Sequence, residues 1–132
     1  KGHEDVILKA TSLFDEIIIG IGENSSKNSF FTLESKVKHI QSLYNNHKHI
    51  QIKSYQGLTT EFCKDISARF IIRGLRDVKD FEYERSIAHM NQTVFLMTDP
   101  VYNHINSSIV REIFKNGGII DSFVTNSHIL VK

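Results

Sequence analysis

Short apolar runs alternate along the chain with segments in which apolar residues recur at the 3.6-residue period of a helix. Four runs have the length and the β-branched content of strands, and they lie at 17–21, 50–55, 69–73 and 93–97. Three of the four are continuously apolar, which is typical of parallel strands covered on both faces. Parallel neighbours also need crossover segments that are long enough for a helix. The pattern therefore predicts an α/β fold, a three-layer sandwich built on a doubly wound parallel sheet.

Length and composition limit the class of protein. The chain has 132 residues, of which 40% are hydrophobic, and we expect one domain over residues 1–132. Lone Cys63 excludes an intrachain disulfide and the sequence has no zinc-type spacing of Cys and His, so a reducing, cytoplasmic setting is expected. The net charge of +1 argues against nucleic acid or an acidic membrane as the main partner. The apolar runs are far shorter than the roughly 20 residues of a spanning helix, and the start of the chain does not resemble a signal peptide.

Helix boundaries and buried faces can also be predicted. Thr32 is placed to cap a helix, and Asn106 or Ser107 to open the last long helix, which Gly117 and Gly118 should end. The alternating run at 50–55 is expected near a sheet edge. By periodicity, the buried residues are Val6, Ile7, Ala10, Leu13 and Phe14 in the first helix and Ile109, Val110, Ile113 and Phe114 in the last.

Candidate binding residues follow the strands, because ligands of such sheets bind at the carboxyl ends of the strands. The segments concerned are 22–27, 55–59, 73–76 and 98–108. They contain three cations, Lys27, Arg73 and Arg76, together with Gly74, which allows close backbone approach. The last helix begins in the fourth segment, where hydroxyls and free amides favour anions. These features predict a phosphate site, to which His3 could add a hydrogen-bond donor.

Each of these signals also has a structural interpretation. Arg73 and Arg76 alternate with carboxylates such as Asp80 and Glu84, a pattern more typical of a salt-bridged helix face. A surface histidine is usually only solvated, and a serine pair at a helix start is usually a cap. The sequence offers no recognisable Ser or Cys nucleophile with a His and an acid, no Walker loop and no GxGxxG motif after a strand. The phenylalanines most simply anchor the core or loops: Phe30, Phe31, Phe62 and Phe81.

Several short motifs together are specific to one family. Residues 72–76 read IRGLR, residues 80–84 read DFEYE and residues 88–91 read AHMN. Gly2-His3 looks like the second half of a TxGH or HxGH signature, Ser26-Lys27 with FTLE at 31–34 looks like a lysine loop, and 105–108 looks like an ISSS-type turn. From Gly2 to about Val124, the sequence closely resembles the phosphopantetheine adenylyltransferase family, whose members are nucleotidyltransferases with a Rossmann-like sheet.

The sequence departs from that family's pattern at three places. Family members begin with a strand and a loop before the TxGH motif, so about fifteen residues, including the first strand, are expected to precede Lys1. Members also have a longer connection before the fourth strand, and we expect that a segment is missing between Gln92 and Thr93. Asn106 stands where the family usually has Ser, and since Asn caps a helix equally well, only a detail of phosphate contact is affected.

The resemblance implies transfer of an adenylyl group from ATP to 4'-phosphopantetheine, which gives dephospho-coenzyme A and pyrophosphate. A catalytic role is implied for His3, Lys27 and Arg73, with His3 donating to the α-phosphate. Substrate binding is implied for Lys27, Thr59, Arg73, Met90 and Asn91. ATP binding is implied for His3, Gly74, Leu75, Arg76, Glu84, Tyr102, Asn103, His104, Ile105, Asn106, Ser107 and Ser108.

The resemblance also raises expectations about cofactors and partners. Mg²⁺ would come with the triphosphate, since it prefers phosphate oxygens and water, and we expect no metal site made by the protein alone. Family members are commonly homohexamers, and feedback inhibition by coenzyme A is expected. The alternative functions are another nucleotidyltransferase of the same fold and a non-catalytic nucleotide-binding module.

Overall fold

Helices and strands alternate along the chain, as the sequence predicts. The computed structural model describes residues 1–23, 29–88 and 92–131. In chain order the elements are α1 (Gly2–Ala10), β1 (Ile17–Glu23), α2 (Leu33–Tyr44), β2 (Ile50–Gln56), α3 (Thr59–Asp65), β3 (Ile71–Leu75), α4 (Val78–Ala88), β4 (Thr93–Met97), a 3-10 helix (Pro100–Tyr102), α5 (Ser107–Lys115) and a second 3-10 helix (Ser127–Ile129). The α/β class is therefore confirmed. Across the described ranges, every helix is too short or too polar to cross a bilayer.

The chain divides into two compact units, each made of two segments. The first unit comprises Lys1–Phe14 and Leu58–His104, and the second comprises Asp15–Gly57 and Ile105–Lys132. Each contains one two-stranded parallel sheet, β3 with β4 in the first unit and β1 with β2 in the second. Parallel pairing is thus confirmed. The described strands form these two ladders, whereas we expected a single four-stranded sheet. A single domain over 1–132 stays a prediction.

In the first unit, α1 packs against β3 and β4. Val6 and Ala10 are buried on the inward face of this helix. Gly74 in β3 makes the close approach possible, because a Cβ atom at that position would lie only 2.6 Å from Cγ2 of Val6. Helix α1, which begins with Gly2 and His3, therefore lies against the backbone of the strand that carries Arg73.

Strand β3 begins and ends two residues later than the predicted run at 69–73. The hydrogen-bond ladder sets its bounds: Ile71 N donates to Gln92 O at 2.9 Å, and Thr98 N donates to Leu75 O at 2.8 Å. Gly74 lies within the strand, where its missing side chain admits α1. The expectation that 73–76 follows the strand is therefore wrong for its first three residues, which lie within β3, and only Arg76 comes after it.

Two residues predicted to be buried are exposed. Leu13 keeps 59% of its surface exposed, since α1 ends at Ala10, three residues earlier. Ile109 in α5 is 52% exposed, whereas its neighbour Val110 is buried. The inward face of α5 therefore begins one position later than the apolar periodicity indicates.

In the second unit, β1 and β2 pair in register along their whole length. Both predicted helix caps are confirmed: Ser35 N donates to Thr32 Oγ1 at 3.1 Å, and Ser108 N donates to Asn106 Oδ1 at 2.8 Å. Gly117 follows α5 with a φ of +78°, the left-handed conformation that glycine adopts without strain. The termini of α2 and α5 are thus fixed by the residues that the sequence indicated.

Three phenylalanine rings cluster in the second unit. The ring centroids of Phe30 and Phe31 are 4.9 Å apart, and those of Phe31 and Phe114 are 5.3 Å apart. Both pairs meet edge to face, the arrangement that aromatic quadrupoles favour. This packing joins the segment before α2 to α5 and confirms the loop-anchoring interpretation of Phe30 and Phe31.

Candidate active site

His3 lies in the first turn of α1, and the charges of two arginines reach its ring. The residue as a whole is exposed, yet nearby protein atoms desolvate the imidazole, and this is the largest cause that lowers the pKa of His3 below its usual 6.5. Repulsion from Arg76 and Arg73 lowers that pKa further. At neutral pH the ring is therefore uncharged and offers a single N–H donor.

Arg76 follows β3 directly and is held by a carboxylate. Its Nε donates to Asp80 Oδ2 at 2.8 Å and its Nη2 donates to Asp80 Oδ1 at 3.0 Å, a bidentate pair within the first turn of α4. The bonds from Arg76 lower the pKa of Asp80, and the bond to Asp80 raises the pKa of Arg76. Both groups stay ionised at neutral pH, so the pair presents a fixed guanidinium next to the strand end.

Arg73 lies within β3 and also faces a carboxylate. Its Nε is 3.6 Å from Glu84 Oε2, a looser ion pair than that of Arg76. The charge of Arg73 also opposes the desolvation that raises the pKa of buried Cys63 in α3. Arg73 therefore acts on α1, α3 and α4 of the first unit, and a ligand that binds its guanidinium must share it with Glu84.

The segment after β4 lies beside the start of α1. Thr98 is buried, and Asp99 Oδ1 accepts a bond from Val101 N at 2.9 Å, which caps the 3-10 helix Pro100–Tyr102. A Cβ atom at Gly2 would be 3.9 Å from Thr98 Cγ2 and 4.0 Å from Tyr102 Cβ. The residue before His3 thus lies near Thr98 at the strand end and near Tyr102, the first residue of the turn that was expected to bind ATP. Tyr102, Asn103 and His104 belong to this segment and to the first unit.

The expected substrate-arm residue Thr59 is the first residue of α3, also in the first unit. Leu58 precedes it in an extended conformation and makes no side-chain cap. Cys63 is buried one turn further along the same helix, and its pKa is affected by the charge of Arg73. Thr59 therefore lies on the helix that Arg73 faces.

The turn at 105–108 belongs to the second unit. Asn106 caps α5, so the amides of its first turn point toward the segment before the helix. Arg111, one turn into α5, donates to Ser107 O at 3.1 Å and to Ser108 Oγ at 3.2 Å. This arginine adds a positive charge to an end of the helix that already favours anions.

Comparison with known proteins identifies the family. The model of the cytidylyltransferase-like family matches residues 1–113. The phosphopantetheine adenylyltransferase of Cytophaga hutchinsonii is 40% identical over 131 residues, which cover 94% of this chain and 87% of the relative. The enzyme of Flavobacterium psychrophilum is 44% identical over 123 residues (89% and 82%), and that of Bacteroides thetaiotaomicron is 41% identical over 129 residues (93% and 85%). The chain belongs to the phosphopantetheine adenylyltransferase family.

Membership in the phosphopantetheine adenylyltransferase family confirms the resemblance seen in the sequence motifs. It also confirms the nucleotidyltransferase class, a link to coenzyme A biosynthesis and a fold of the Rossmann-like kind. Three of the expected site residues, Lys27, Met90 and Asn91, lie outside the described residues. Of the remainder, His3, Arg73 and Arg76 all belong to the first unit, where the charges of both arginines lower the pKa of His3 and Glu84 pairs with Arg73.

Three residues that the sequence interpretation left out bond to residues of the predicted binding segments or to the backbone next to them. Arg111 binds the backbone and a side chain of the expected ATP turn, and its spacing of three and four residues from Ser108 and Ser107 was a usable signal. Asp5 and Lys9 bond to the backbone at and after the end of β4. Those partners are 88 and 94 residues away in the sequence, so periodicity alone gave no indication of them.

Proposed function

We propose that this protein transfers the adenylyl group of ATP to 4'-phosphopantetheine and releases dephospho-coenzyme A and pyrophosphate. The observation that carries the proposal is His3, whose pKa is lowered by desolvation and by the charges of Arg76 and Arg73, in one unit of a chain from the phosphopantetheine adenylyltransferase family. Two highly charged reactants must meet in this reaction, and the site supplies cations with a neutral hydrogen-bond donor. That combination suits phosphate chemistry.

The reaction asks mainly for positioning and charge neutralisation. A phosphate oxygen of phosphopantetheine attacks the α-phosphorus of ATP, and a P–O bond forms there as the bond to the pyrophosphate leaving group breaks. Because the attacking oxygen is already an anion, no strong general base is required. His3 donates its N–H to an oxygen on the α-phosphorus as negative charge grows there, a role that a neutral imidazole can fill.

The cations divide between the two substrates. In this proposal Lys27 and Arg73 hold the phosphate of phosphopantetheine, with Thr59, Met90 and Asn91 along the pantetheine arm. Arg76, Gly74, Leu75 and Glu84 serve ATP from the β3–α4 side. The turn from Tyr102 to Ser108 receives adenine and the terminal phosphates. Support comes from the proximity of His3 to the charges of Arg73 and Arg76 and from the position of Tyr102 near Gly2.

The decisive assay runs the reaction backward. The purified protein is incubated with dephospho-coenzyme A, pyrophosphate and Mg²⁺, and ATP is detected by luminescence. ATP should appear only when both substrates are present. Failure to form ATP, together with calorimetric binding of ATP, would indicate a non-catalytic nucleotide-binding module. A forward assay in which CTP replaces ATP tests the other alternative, because equal turnover with CTP would favour a different nucleotidyltransferase.

Mg²⁺ is proposed to arrive with ATP. In the part of the chain that the structure describes, no three His, Cys, Asp or Glu side chains gather into a cation cage. Mg²⁺ prefers phosphate oxygens and water as ligands, and the triphosphate of ATP supplies the phosphate oxygens. The ion would neutralise charge on the triphosphate, while His3 and the arginines orient the reacting groups. Titration of Mg²⁺ at fixed ATP measures this requirement.

Assembly, regulation and location are also proposed on the strength of family membership. We propose a homohexamer, a cytoplasmic location and feedback inhibition by coenzyme A. Strand β2 exposes Gln51, Lys53 and Ser54, and in this proposal this part of the strand contacts a neighbouring copy. Light scattering after size-exclusion chromatography measures the number of subunits. Initial rates at increasing coenzyme A concentration measure the inhibition.

A further inference from the structure

Two charged residues on α1 bind the backbone at the end of β4. Asp5 Oδ2 accepts a hydrogen bond from Asp99 N at 2.8 Å and from Lys9 Nζ at 2.8 Å. Lys9 Nζ also donates to Met97 O at 2.9 Å. The side chains thus join one helix face to the last residue of the strand and to the segment that follows it.

These contacts differ from an ordinary surface ion pair. Glu34 and Lys38 on α2 have the same spacing, with 2.7 Å between Nζ and Oε1, and their side chains are 76% and 65% exposed. Such an exposed pair contributes little to stability. The side chain of Asp5 is only 17% exposed, and both members of its pair have a backbone partner. Desolvation, the largest single cause, raises the pKa of Asp5. The hydrogen bonds that Asp5 accepts from Lys9 and from the Asp99 amide lower it, and the net result is a lowered pKa.

The contacts set the start of the segment 98–104 relative to α1. Asp99 is both the residue whose amide Asp5 binds and the residue whose side chain caps the 3-10 helix Pro100–Tyr102. His3 lies two residues before Asp5 on the same helix. A single network therefore joins the helix that carries His3 to the segment that contains Tyr102, the first residue of the expected ATP turn.

We propose that Asp5 and Lys9 are positioning residues that hold the segment 98–104, which contains the first residues of the expected ATP turn, in place beside α1. The inference rests on the proposed adenylyl transfer for its catalytic consequence. Their removal should leave the substrates' own contacts intact and should loosen the geometry between them. Displacement of a binding segment by about 1 Å can lower a rate by as much as about a hundredfold.

The first test separates ATP from the second substrate. Lys9→Met keeps a side chain of similar length and loses the ammonium that makes both hydrogen bonds. This variant should lower kcat about tenfold and raise the KM for ATP about tenfold, with the KM for phosphopantetheine within about twofold. Lys9→Arg should recover most of the loss, because its fork can reach the same oxygens. The matched control is Lys38→Met, which should leave every kinetic constant unchanged. Equal effects on both KM values, or none, would overturn the proposal.

A second measurement does not depend on activity. Exchange of the Asp99 amide hydrogen should be slow in the unmodified protein and at least about tenfold faster in Asp5→Asn and Lys9→Met, since the amide loses a charged acceptor or its support. Calorimetric ATP affinity should fall in the same variants. If the unmodified protein makes no ATP in the reverse assay, the proposed function fails, while these two measurements still decide whether Asp5 and Lys9 hold the segment 98–104. Unchanged exchange and affinity would overturn it, and if Lys9→Met does not fold, Lys9→Gln takes its place.

Discussion

Arg76 and Asp80 form a bidentate ion pair that also fixes the backbone between β3 and α4. Besides the two bonds from the guanidinium, Asp80 Oδ2 accepts a bond from Arg76 N at 3.2 Å. The backbone N–H of Asp80 in turn donates to Asp77 Oδ1 at 2.9 Å. A phosphate that binds Arg76 must therefore share the guanidinium with Asp80 or displace it. The pair keeps the guanidinium oriented before any ligand arrives.

Replacement of Asp80 should lower stability in a pH-dependent way. At pH 7, Asp80→Asn should reduce the free energy of unfolding by about 0.5–1 kcal/mol, a modest figure because both side chains are partly exposed. The bond from Arg76 lowers the folded-state pKa of Asp80 below 3.8. The stabilisation is therefore complete above about pH 4 and is lost as pH falls through the lowered value. Urea denaturation of Asp80→Asn and of the unmodified protein at several pH values measures the difference in the free energy of unfolding.

The Asp80→Asn difference should shrink as the pH falls below 3.8, because the native carboxyl then becomes protonated as well. Glu34→Gln provides the comparison, since the pair with Lys38 has the same helical spacing without a backbone bond. Its loss at pH 7 should be smaller. A loss for Asp80→Asn that stays constant from pH 7 to pH 3 would contradict the proposed pairing.

His3 should titrate below 6.5. Desolvation, the first cause, and repulsion from Arg76 and Arg73 both lower its pKa. The folded protein therefore takes up this proton less readily than the unfolded chain, and the contribution of His3 to stability declines as pH falls below about 6.5. Arg76→Gln should raise the titration midpoint toward 6.5, since one positive charge is removed. Histidine ring signals in NMR spectra measure the midpoints, and a native midpoint at or above 6.5 would contradict the arrangement.

His3→Ala should affect turnover far more than ATP affinity. Loss of one donor to a developing negative charge typically lowers kcat by about a hundredfold to a thousandfold. The dissociation constant of ATP should change by less than about fivefold, because the donor acts mainly in the transition state. Exposed His128→Ala in the second unit serves as the control and should keep full activity. An unchanged kcat in His3→Ala would remove the assigned role.

Gly74→Ala should destabilise the first unit. The added Cβ would lie 2.6 Å from Val6 Cγ2, and Val6 is buried on the inward face of α1. Overpacking of this kind costs about 1–3 kcal/mol. The double variant Gly74→Ala with Val6→Ala should recover part of the loss, since truncation of Val6 removes the clash. Thermal unfolding of Gly74→Ala, Val6→Ala and the double variant measures the coupling between the two residues. Strictly additive losses of stability would show that the two residues do not meet.

The sequence predicts local structure well where local chemistry decides it. Strand β4 has the predicted bounds, and Thr32 and Asn106 cap their helices as expected. A cap depends on one side chain and an amide two or three residues away, so sequence spacing is enough to find it. The pairing of Arg76 with Asp80 was likewise visible as a salt-bridged pattern, and the structure shows that this pattern and a place near His3 belong to the same arginine.

Features that depend on distant partners escaped prediction. The late end of β3 is set by the bond from Thr98 N to Leu75 O, twenty-three residues apart, and not by the apolar run. The contacts of Asp5 and Lys9 with Asp99 and Met97 require knowledge of how α1 packs on the sheet. A helical pair with spacing i, i+4 looks the same in sequence whether it is exposed or bound to backbone. Tertiary structure alone distinguishes Asp5 from Glu34.

Arg73→Ala should raise the KM for phosphopantetheine while leaving that for ATP within about threefold. A hydrogen bond to a charged group contributes about 1.5–3 kcal/mol, which corresponds to an increase of about tenfold to a hundredfold. Arg73→Lys should not restore binding fully, because the planar fork is lost. Arg69→Ala is the matched control: Arg69 precedes β3, lies over the ring of Phe70 at 5.6 Å and should contribute nothing to either KM. Steady-state kinetics with each substrate varied in turn decides the outcome. An effect confined to ATP would mean that Arg73 serves the nucleotide and that the two phosphate sites must be exchanged.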